Sequence, residues 1–281
     1  MYENILEYYF PKSIPDAVNK LSRKPAGSAI ISTGTINLTW RKLPKITTVI
    51  DISRLGLSYI KVDNKHIRIG ATTTLQDLIE SKPLKQVADG ILTAAANAWS
   101  SKLQRNLTPI GGILENFNPT ADIITALLAL EAQVIIQGKK TRIVPISEFY
   151  PKPWLTVLKN EFIREIIIPK STAKCLAAFD RIAIIASDIS IINVAVAAQI
   201  QRGLCRNIQI AVGGGLPIPK RIPELEKEFI GQKLDSAVIE TRINKLAECI
   251  QPISDFRATA EYRRKIALVL LKRALFKIAG I

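Results

Sequence analysis

The stretch Arg105-Asn106-Leu107-Thr108-Pro109-Ile110-Gly111-Gly112-Ile113, followed by Asn118-Pro119-Thr120-Ala121-Asp122 and the apolar run from Ile123 to Leu130, says most about the fold of this chain. It reads as a glycine turn that opens, a few residues later, onto a helix. Thr120 is a suitable N-cap, Asp122 falls in the first turn, and apolar residues then recur at helical spacing. Gly111-Gly112 lets backbone approach a ligand with no side chain in the way, and exposed N–H groups there suit a phosphate.

Upstream, residues 28–32 are strand-like and run into Thr33-Gly34-Thr35, a second candidate phosphate turn. Residues 47–52 read as another strand, and 58–62 with 66–69 as a hairpin around Asp63-Asn64. Gly70-Ala71-Thr72-Thr73-Thr74 leads into a helix over 75–81 with Thr74 as N-cap. A helix over 91–99 delivers Trp99 to the loop before Gly111. Downstream come strands at 133–136 and 162–168, the latter ended by Pro169. A boundary is expected between Pro169 and Cys175. Beyond it, 176–182, 189–201 and 207–212 read as three strands, followed by helices over 223–230, 236–250 and 258–278. The class is α+β: a mixed N-terminal part, then a small sheet-and-helices part.

Composition excludes several functions. The chain has 281 residues, 48% of them hydrophobic, enough for more than one domain. No run of about 18 uncharged apolar residues occurs, and the nearest, Ile182 to Ala198, carries Asp188. The N-terminus lacks the basic-then-apolar layout of a signal peptide. Cys175, Cys205 and Cys249 are odd in number and far apart, which fits reduced thiols in the cytoplasm, with neither disulfide framework nor metal spacing. A single histidine, His66, rules out a multi-histidine metal site and has no evident triad partners. Glu161 and Glu165 suggest no acid–base pair, and no catalytic residue is assigned. Gly213-Gly214-Gly215 precedes Leu216-Pro217-Ile218-Pro219, so it reads as a strand-ending turn, not a phosphate loop.

The net charge of +15 favours an anionic partner: nucleic acid, an acidic subunit or a nucleotide. Its one concentration (Arg257, Arg263, Arg264, Lys265, Lys272, Arg273, Lys277) makes no single helical stripe and carries no aromatic stacking residues. A solvated helix face or a docking surface is the better reading, against nucleic acid.

These elements, in this order, resemble the FAD-binding (medium) subunit of molybdenum hydroxylases, the carbon monoxide dehydrogenase and xanthine dehydrogenase family. The resemblance spans nearly the whole chain. It rests on Thr33-Gly34-Thr35, on Ile69-Gly70-Ala71-Thr72-Thr73-Thr74-Leu75 and on the block from Arg105 to Ala132. Further on it rests on Asp188 to Val196, Ala211-Val212-Gly213-Gly214, and Ser254-Asp255-Phe256-Arg257-Ala258 with Tyr262-Arg263-Arg264. It implies a PCMH-type FAD-binding fold of two α/β subdomains, followed by a three-stranded antiparallel sheet with a helix bundle. The implied division is 1–171 (subdomains about 1–55 and 56–171) and 172–281.

The resemblance further implies that FAD lies between the N-terminal subdomains, its pyrophosphate held by backbone N–H groups of two glycine loops. Electrons would arrive from two [2Fe-2S] clusters in a small subunit, after oxidation of substrate at molybdopterin in a large subunit, and leave to an external acceptor. Carried over residue by residue, the cofactor positions are Ser32, Thr33, Gly34, Thr35 and Ile36 in the first loop and Pro109, Ile110, Gly111, Gly112 and Ile113 in the second. Asp122 is implied at the adenosine ribose, Trp99 and Ile163 beside the cofactor, and Asp180 near the flavin. Four of these depart from the family pattern. Thr33 stands where a glycine is usual, Pro109 replaces a hydroxyl residue, Ile113 replaces a polar one, and Asp180 replaces a lysine. Pro109 brings neither N–H nor hydroxyl. The alternative is therefore a flavin-free scaffold subunit of the same complex.

Overall fold

The computed structural model describes residues 5–23, 27–32, 46–153 and 155–281. Thr33, Gly34, Thr35 and Ile36, the greater part of the first candidate loop, lie outside the described residues.

β1 (Glu7–Tyr9), β2 (Ser28–Ile31) and β3 (Thr48–Asp51) form a parallel sheet in the order β1-β3-β2. The helix Ile14–Arg23 connects β1 to β2 and presses Ala17, Val18 and Leu21 against Ile50 and Ile52. Neither β1 nor this helix is legible in the sequence. β1 is too short to show a period, and Pro11 and Pro15 break up the pattern around it.

β4 (Ile60–Val62), β5 (His66–Gly70), β6 (Gln133–Gln137), β7 (Thr141–Pro145) and β8 (Phe162–Pro169) form a second, antiparallel sheet ordered β4-β5-β8-β6-β7. Short helices between β5 and β6 cover one face of it. The first, Leu75–Glu80, starts at Thr74 with a reciprocal cap: the Asp77 N–H donates to the Thr74 hydroxyl, and the Thr74 N–H donates to the Asp77 carboxylate.

The expected glycine turn is itself helical. Gly111 and Gly112 sit in the first turn of Ile110–Glu115, with Pro109 as N-cap. The next helix is Asp122–Ala129, capped by Ala121 rather than Thr120. The Thr120 hydroxyl turns away and donates to Asn118 Oδ1 at 3.0 Å.

The C-terminal part holds β9 (Leu176–Ile182), β10 (Ile192–Gln201), β11 (Leu204–Gly213) and β12 (Lys220–Arg221), antiparallel in the order β12-β11-β10-β9. The three long strands are the expected ones. The fourth is a two-residue addition beside Ala211 and Val212, too short to read in advance. The expected helix over 236–250 is broken at Ile243-Asn244 into Ser236–Arg242 and Lys245–Cys249. The last helix, Ala260–Ala279, runs across β9 and β10.

Strand alternation divides this sheet cleanly. Val194, Val196, Ile208, Ile210 and Val212 face the C-terminal helices. Ala177, Ala195, Ala197 and Ala211 face the N-terminal part. Small side chains on that side let Asp122–Ala129 pack closely against β10 and β11. All eight residues of that helix are buried, as a helix apolar on every side requires.

Candidate cofactor cleft

The parallel strands β2 and β3 end at one side of a cleft, and the glycine helix closes the other. Ile30, Ile31, Ser32 and Ile52 line it from the first sheet, Phe162 and Ile163 from the start of β8, and Ala71, Thr108, Pro109, Gly111, Gly112 and Glu115 from the connecting segments. The cleft's position, beyond the carboxyl ends of parallel strands, is where such sheets bind ligands.

The segment from Thr108 to Gly111 is stitched to the Ala71–Leu75 turn. The N–H groups of Leu75, Ile110 and Gly111 donate to the carbonyls of Thr108, Thr73 and Ala71, each at 2.9 Å. This explains why both motifs are needed together. At Gly111 a Cβ would stand 2.8 Å from the Ala71 carbonyl oxygen, so glycine is required by close approach, not by a left-handed backbone. At Gly112 the nearest obstacle is Pro109 Cγ at 3.3 Å.

The same bonds decide which donors remain for a ligand. Pro109 has no N–H, and those of Ile110, Gly111 and Ile113 donate to Thr73, Ala71 and Pro109. Among the described residues only the Gly112 N–H of this loop has no backbone acceptor. The Ser32 hydroxyl, buried on the opposite wall, also has no partner. Thr72 Oγ1, beside Ala71, is another buried hydroxyl without one. Ser32 and Gly112 line opposite walls of a largely apolar cleft, a setting that fits the phosphate and rings of a nucleotide. No lysine or arginine is among the described lining residues, and one carboxylate, Glu115, is.

Five expected site residues therefore meet at the cleft: Ser32, Pro109, Gly111, Gly112 and Ile163. Ile110 and Ile113 are placed in the core, 0% and 3% exposed, which accounts for an apolar residue at 113. Trp99 packs half-buried on the N-terminal core, and its carbonyl accepts from Arg105 Nη1 at 3.1 Å.

Asp122 lies away from the cleft lining, at the junction of the N- and C-terminal parts. It is 4% exposed and accepts from Ser190 Oγ (2.6 Å), Asn193 Nδ2 (2.7 Å) and Arg181 Nη1 (3.1 Å). Burial pushes its carboxyl up, against the opposing effect of these three donors. Asp180 faces the C-terminal helix, 3.9 Å from Arg273. Its neighbour Arg181 points to the other face, as alternation demands, so the cation of β9 that faces the N-terminal part is Arg181. Sequence reading assigned no role to Arg181, Ser190 or Asn193. Alternation signalled the side on which Arg181 lies, but nothing signalled Asp122 as its partner.

The expected solvated basic face also needs correction at Arg263. It is 1% exposed, its Nη1 donates to the Ile191 carbonyl (2.8 Å), and its Nη2 pairs with Asp255 (2.7 Å). Glu161 and Glu165 are paired with Arg142 and Arg68. Gly214 (φ +80°) ends β11 in a turn whose N–H donates to the Pro119 carbonyl.

Residues 3–171 match the family described as the FAD binding domain in molybdopterin dehydrogenase, and residues 177–278 match the CO dehydrogenase flavoprotein C-terminal domain. The chain belongs to this family of FAD-binding subunits of molybdenum-containing oxidoreductases. It is 29% identical over 234 residues to the glyceraldehyde dehydrogenase medium chain of Sulfolobus acidocaldarius, covering 82% of this chain and 83% of that one. With the carbon monoxide dehydrogenase medium chain of Hydrogenophaga pseudoflava it shares 27% identity, covering 96% and 95%. The structure of the cyanide-inactivated Cu,Mo-CO dehydrogenase superposes with a TM-score of 0.91 at 26% identity, over 98% of each chain. Among the described residues no helix is long and apolar enough to cross a membrane.

Proposed function

We propose that this chain carries FAD in the cleft and serves as the electron-transfer subunit of a heteromeric molybdenum hydroxylase. In this reading residues 1–171 hold the cofactor, divided near residue 55, and 172–281 close over it. A small subunit with [2Fe-2S] clusters delivers electrons, a large subunit holds molybdopterin, and an external acceptor takes the electrons on. The compartment is the cytoplasm, where the three cysteines stay reduced.

The observation that carries this reading is that Ser32 and Gly112, whose hydroxyl and N–H have no acceptor among the described residues, both line a cleft beyond the ends of β2 and β3. Ser32 and Gly112 would donate to the pyrophosphate, and Phe162, Ile163 and Ile52 would exclude water from the ring system. FAD, when bound, supplies the redox chemistry. The protein's own contribution is to orient the cofactor and keep the cleft apolar. Relatives are named for carbon monoxide, glyceraldehyde and nicotinate, so substrate choice is assigned to the partner that holds molybdenum.

The test is the visible spectrum of the purified complex with chromatography of the heat-released cofactor. One FAD per chain, and bleaching of its absorption band when the complex receives reducing substrate, is the expected result. Iron–sulfur absorption without FAD would favour the second reading, a flavin-free scaffold. That alternative is favoured by the spent N–H groups of Ile110 and Gly111 and by Pro109.

A further inference from the structure

Between the helix Leu75–Glu80 and the cleft loop, the chain makes a sterically costly turn. Ala88 (φ +45°, ψ +56°), Asp89 (φ +49°, ψ +29°) and Gly90 (φ +71°, ψ +23°) are three consecutive left-handed residues, and only the last is glycine. A Cβ in that region crowds the following carbonyl, so such backbone persists only where its surroundings impose it. Two groups impose it here. Ala88 is 1% exposed and belongs to the N-terminal core. Asp89, at the surface, reaches a residue 88 positions along the chain: its Oδ2 accepts from the Ala177 N–H at 2.9 Å. Ala177 is the second residue of β9, which is the edge strand of its sheet, so the carboxylate takes a donor that would otherwise face outward.

The turn feeds straight into the helix Ile91–Asn97, which packs on β9 and on Asp122–Ala129 and buries Ile91, Leu92, Ala95 and Ala96. Beyond it stands another left-handed residue with a side chain, Ser100 (φ +37°). Arg105 holds that corner, its Nη1 donating to the carbonyls of Trp99 (3.1 Å) and Ser100 (2.8 Å). The short helix that follows ends at Thr108, on the cleft wall. One helix therefore joins the junction turn to the cleft loop, with disfavoured backbone at each end. We propose that Asp89 is a positioning residue that works as a latch. Docking of β9 holds residues 88–90 left-handed, and this sets the placement of Ile91–Asn97 and of the corner at 97–108 beside the cleft. Without the Ala177 N–H the turn relaxes to right-handed backbone, and the helix and corner shift with it. The C-terminal part thereby governs the cleft through a two-state turn, without touching the ligand there. The consequence for FAD rests on the reading of the cleft as its site, whereas the latch itself does not.

The experiment is amide hydrogen exchange on the full-length chain, read at residues 97–108, in wild type, Asp89→Asn, Asp89→Ala and the double variant Ala88→Gly with Asp89→Ala. Asparagine keeps an acceptor and tolerates the left-handed region, so exchange in Asp89→Asn should stay within about twofold of wild type. Asp89→Ala should raise exchange at 97–108 at least about tenfold and leave β6 and β7 unchanged. Adding Ala88→Gly supplies a residue that is left-handed at no steric cost, so protection should return to within about threefold of wild type. A plain hydrogen bond predicts the reverse, because glycine loosens a turn that has already lost its tie. Wild-type exchange in Asp89→Ala overturns the latch. A double variant that exchanges as fast as Asp89→Ala alone overturns the part played by backbone strain. With FAD loaded, Asp89→Ala should release the cofactor about tenfold faster, and unchanged release beside raised exchange overturns the coupling to the cleft. A wild-type chain that takes up no FAD overturns the cofactor reading, and the exchange comparison then still decides the latch.

Discussion

Replacing Asp122 by alanine strips one buried carboxylate from three donors at once and leaves Arg181, its side chain 13% exposed, without a counter-charge. Arg181 keeps its bonds to Ala186, Asp188 and Ser190, but these are neutral acceptors. Removing one partner of a buried ion pair costs about 3–5 kcal/mol. Unfolding entropy of about 2.1 cal/mol/K per residue gives roughly 0.6 kcal/mol/K for a chain of this length unfolding as a unit. The expected fall in Tm is therefore about 5–9 °C. Asp122→Asn keeps the shape and one acceptor, yet can offer Arg181 only an N–H or a neutral oxygen, and should lose about 1.5–3 kcal/mol. Asp122→Ala with Arg181→Met removes both charges and should recover about 1–3 kcal/mol of the single-variant loss. Differential scanning fluorimetry and urea titration read all three. An alanine variant that loses less than about 1 kcal/mol, or a cycle that is simply additive, would refute the view of Asp122 as the hub between the two parts.

The two loop glycines should separate stability from cofactor binding. Gly111→Ala drives a methyl into Ala71 and should cost about 1–3 kcal/mol, whereas Gly112→Ala should leave the melting temperature near wild type and lower FAD content; equal melting curves for the two would contradict this. Pro109→Thr restores a hydroxyl beside the cleft, and one hydrogen bond to a charged phosphate, about 1.5–3 kcal/mol, predicts FAD affinity about 10- to 100-fold higher by equilibrium dialysis. An unchanged Kd would show that position 109 does not reach the phosphates. Burial alone would raise the Asp255 carboxyl, but hydrogen bonds from Arg257 and Arg263 outweigh it and hold the group well below the usual carboxylate range. Its stabilising contribution is therefore present above about pH 4 and fades as pH falls further. Urea midpoints between pH 5 and 3 should drop less steeply in Asp255→Asn, and parallel slopes would sink the assignment. Burial pushes the Cys205 thiol up to about 11 and also raises Cys175, while Cys249 is partly exposed. Thiol labelling of the native protein at pH 8 should modify Cys249 first, and early modification of Cys205 would argue against its burial.

What the sequence made legible follows from periodicity. The long strands of the C-terminal sheet, the Thr74 cap and the apolar Asp122 helix all show their pattern within a single window. What stayed hidden depends on partners distant in the chain. Gly111 reads as a phosphate-turn glycine until Ala71 is seen pressed against it. Ile113 reads as a lost polar contact until it is placed in the core. Arg263 sits in a run of cations that looks solvated, and only the Ile191 carbonyl and Asp255 explain its burial. Asp122 and Arg181 are 59 residues apart, and no local signal pairs them. β1 and β12 offer three and two residues and no repeat to count.

The Asp122–Ala129 helix, with no face left to water, has a bearing on how such subunits diversify. A segment gripped on both sides cannot be inherited with one half alone. Chimeras that join the front of one relative to the back of another must also carry over the match between this helix and the alanines at 195, 197 and 211. A single valine at one of those alanines would wedge the junction apart. Recombination at the sequence boundary near residue 175 is therefore constrained by a contact made fifty residues earlier, and exchangeability between relatives should track the volume of those three side chains rather than overall identity.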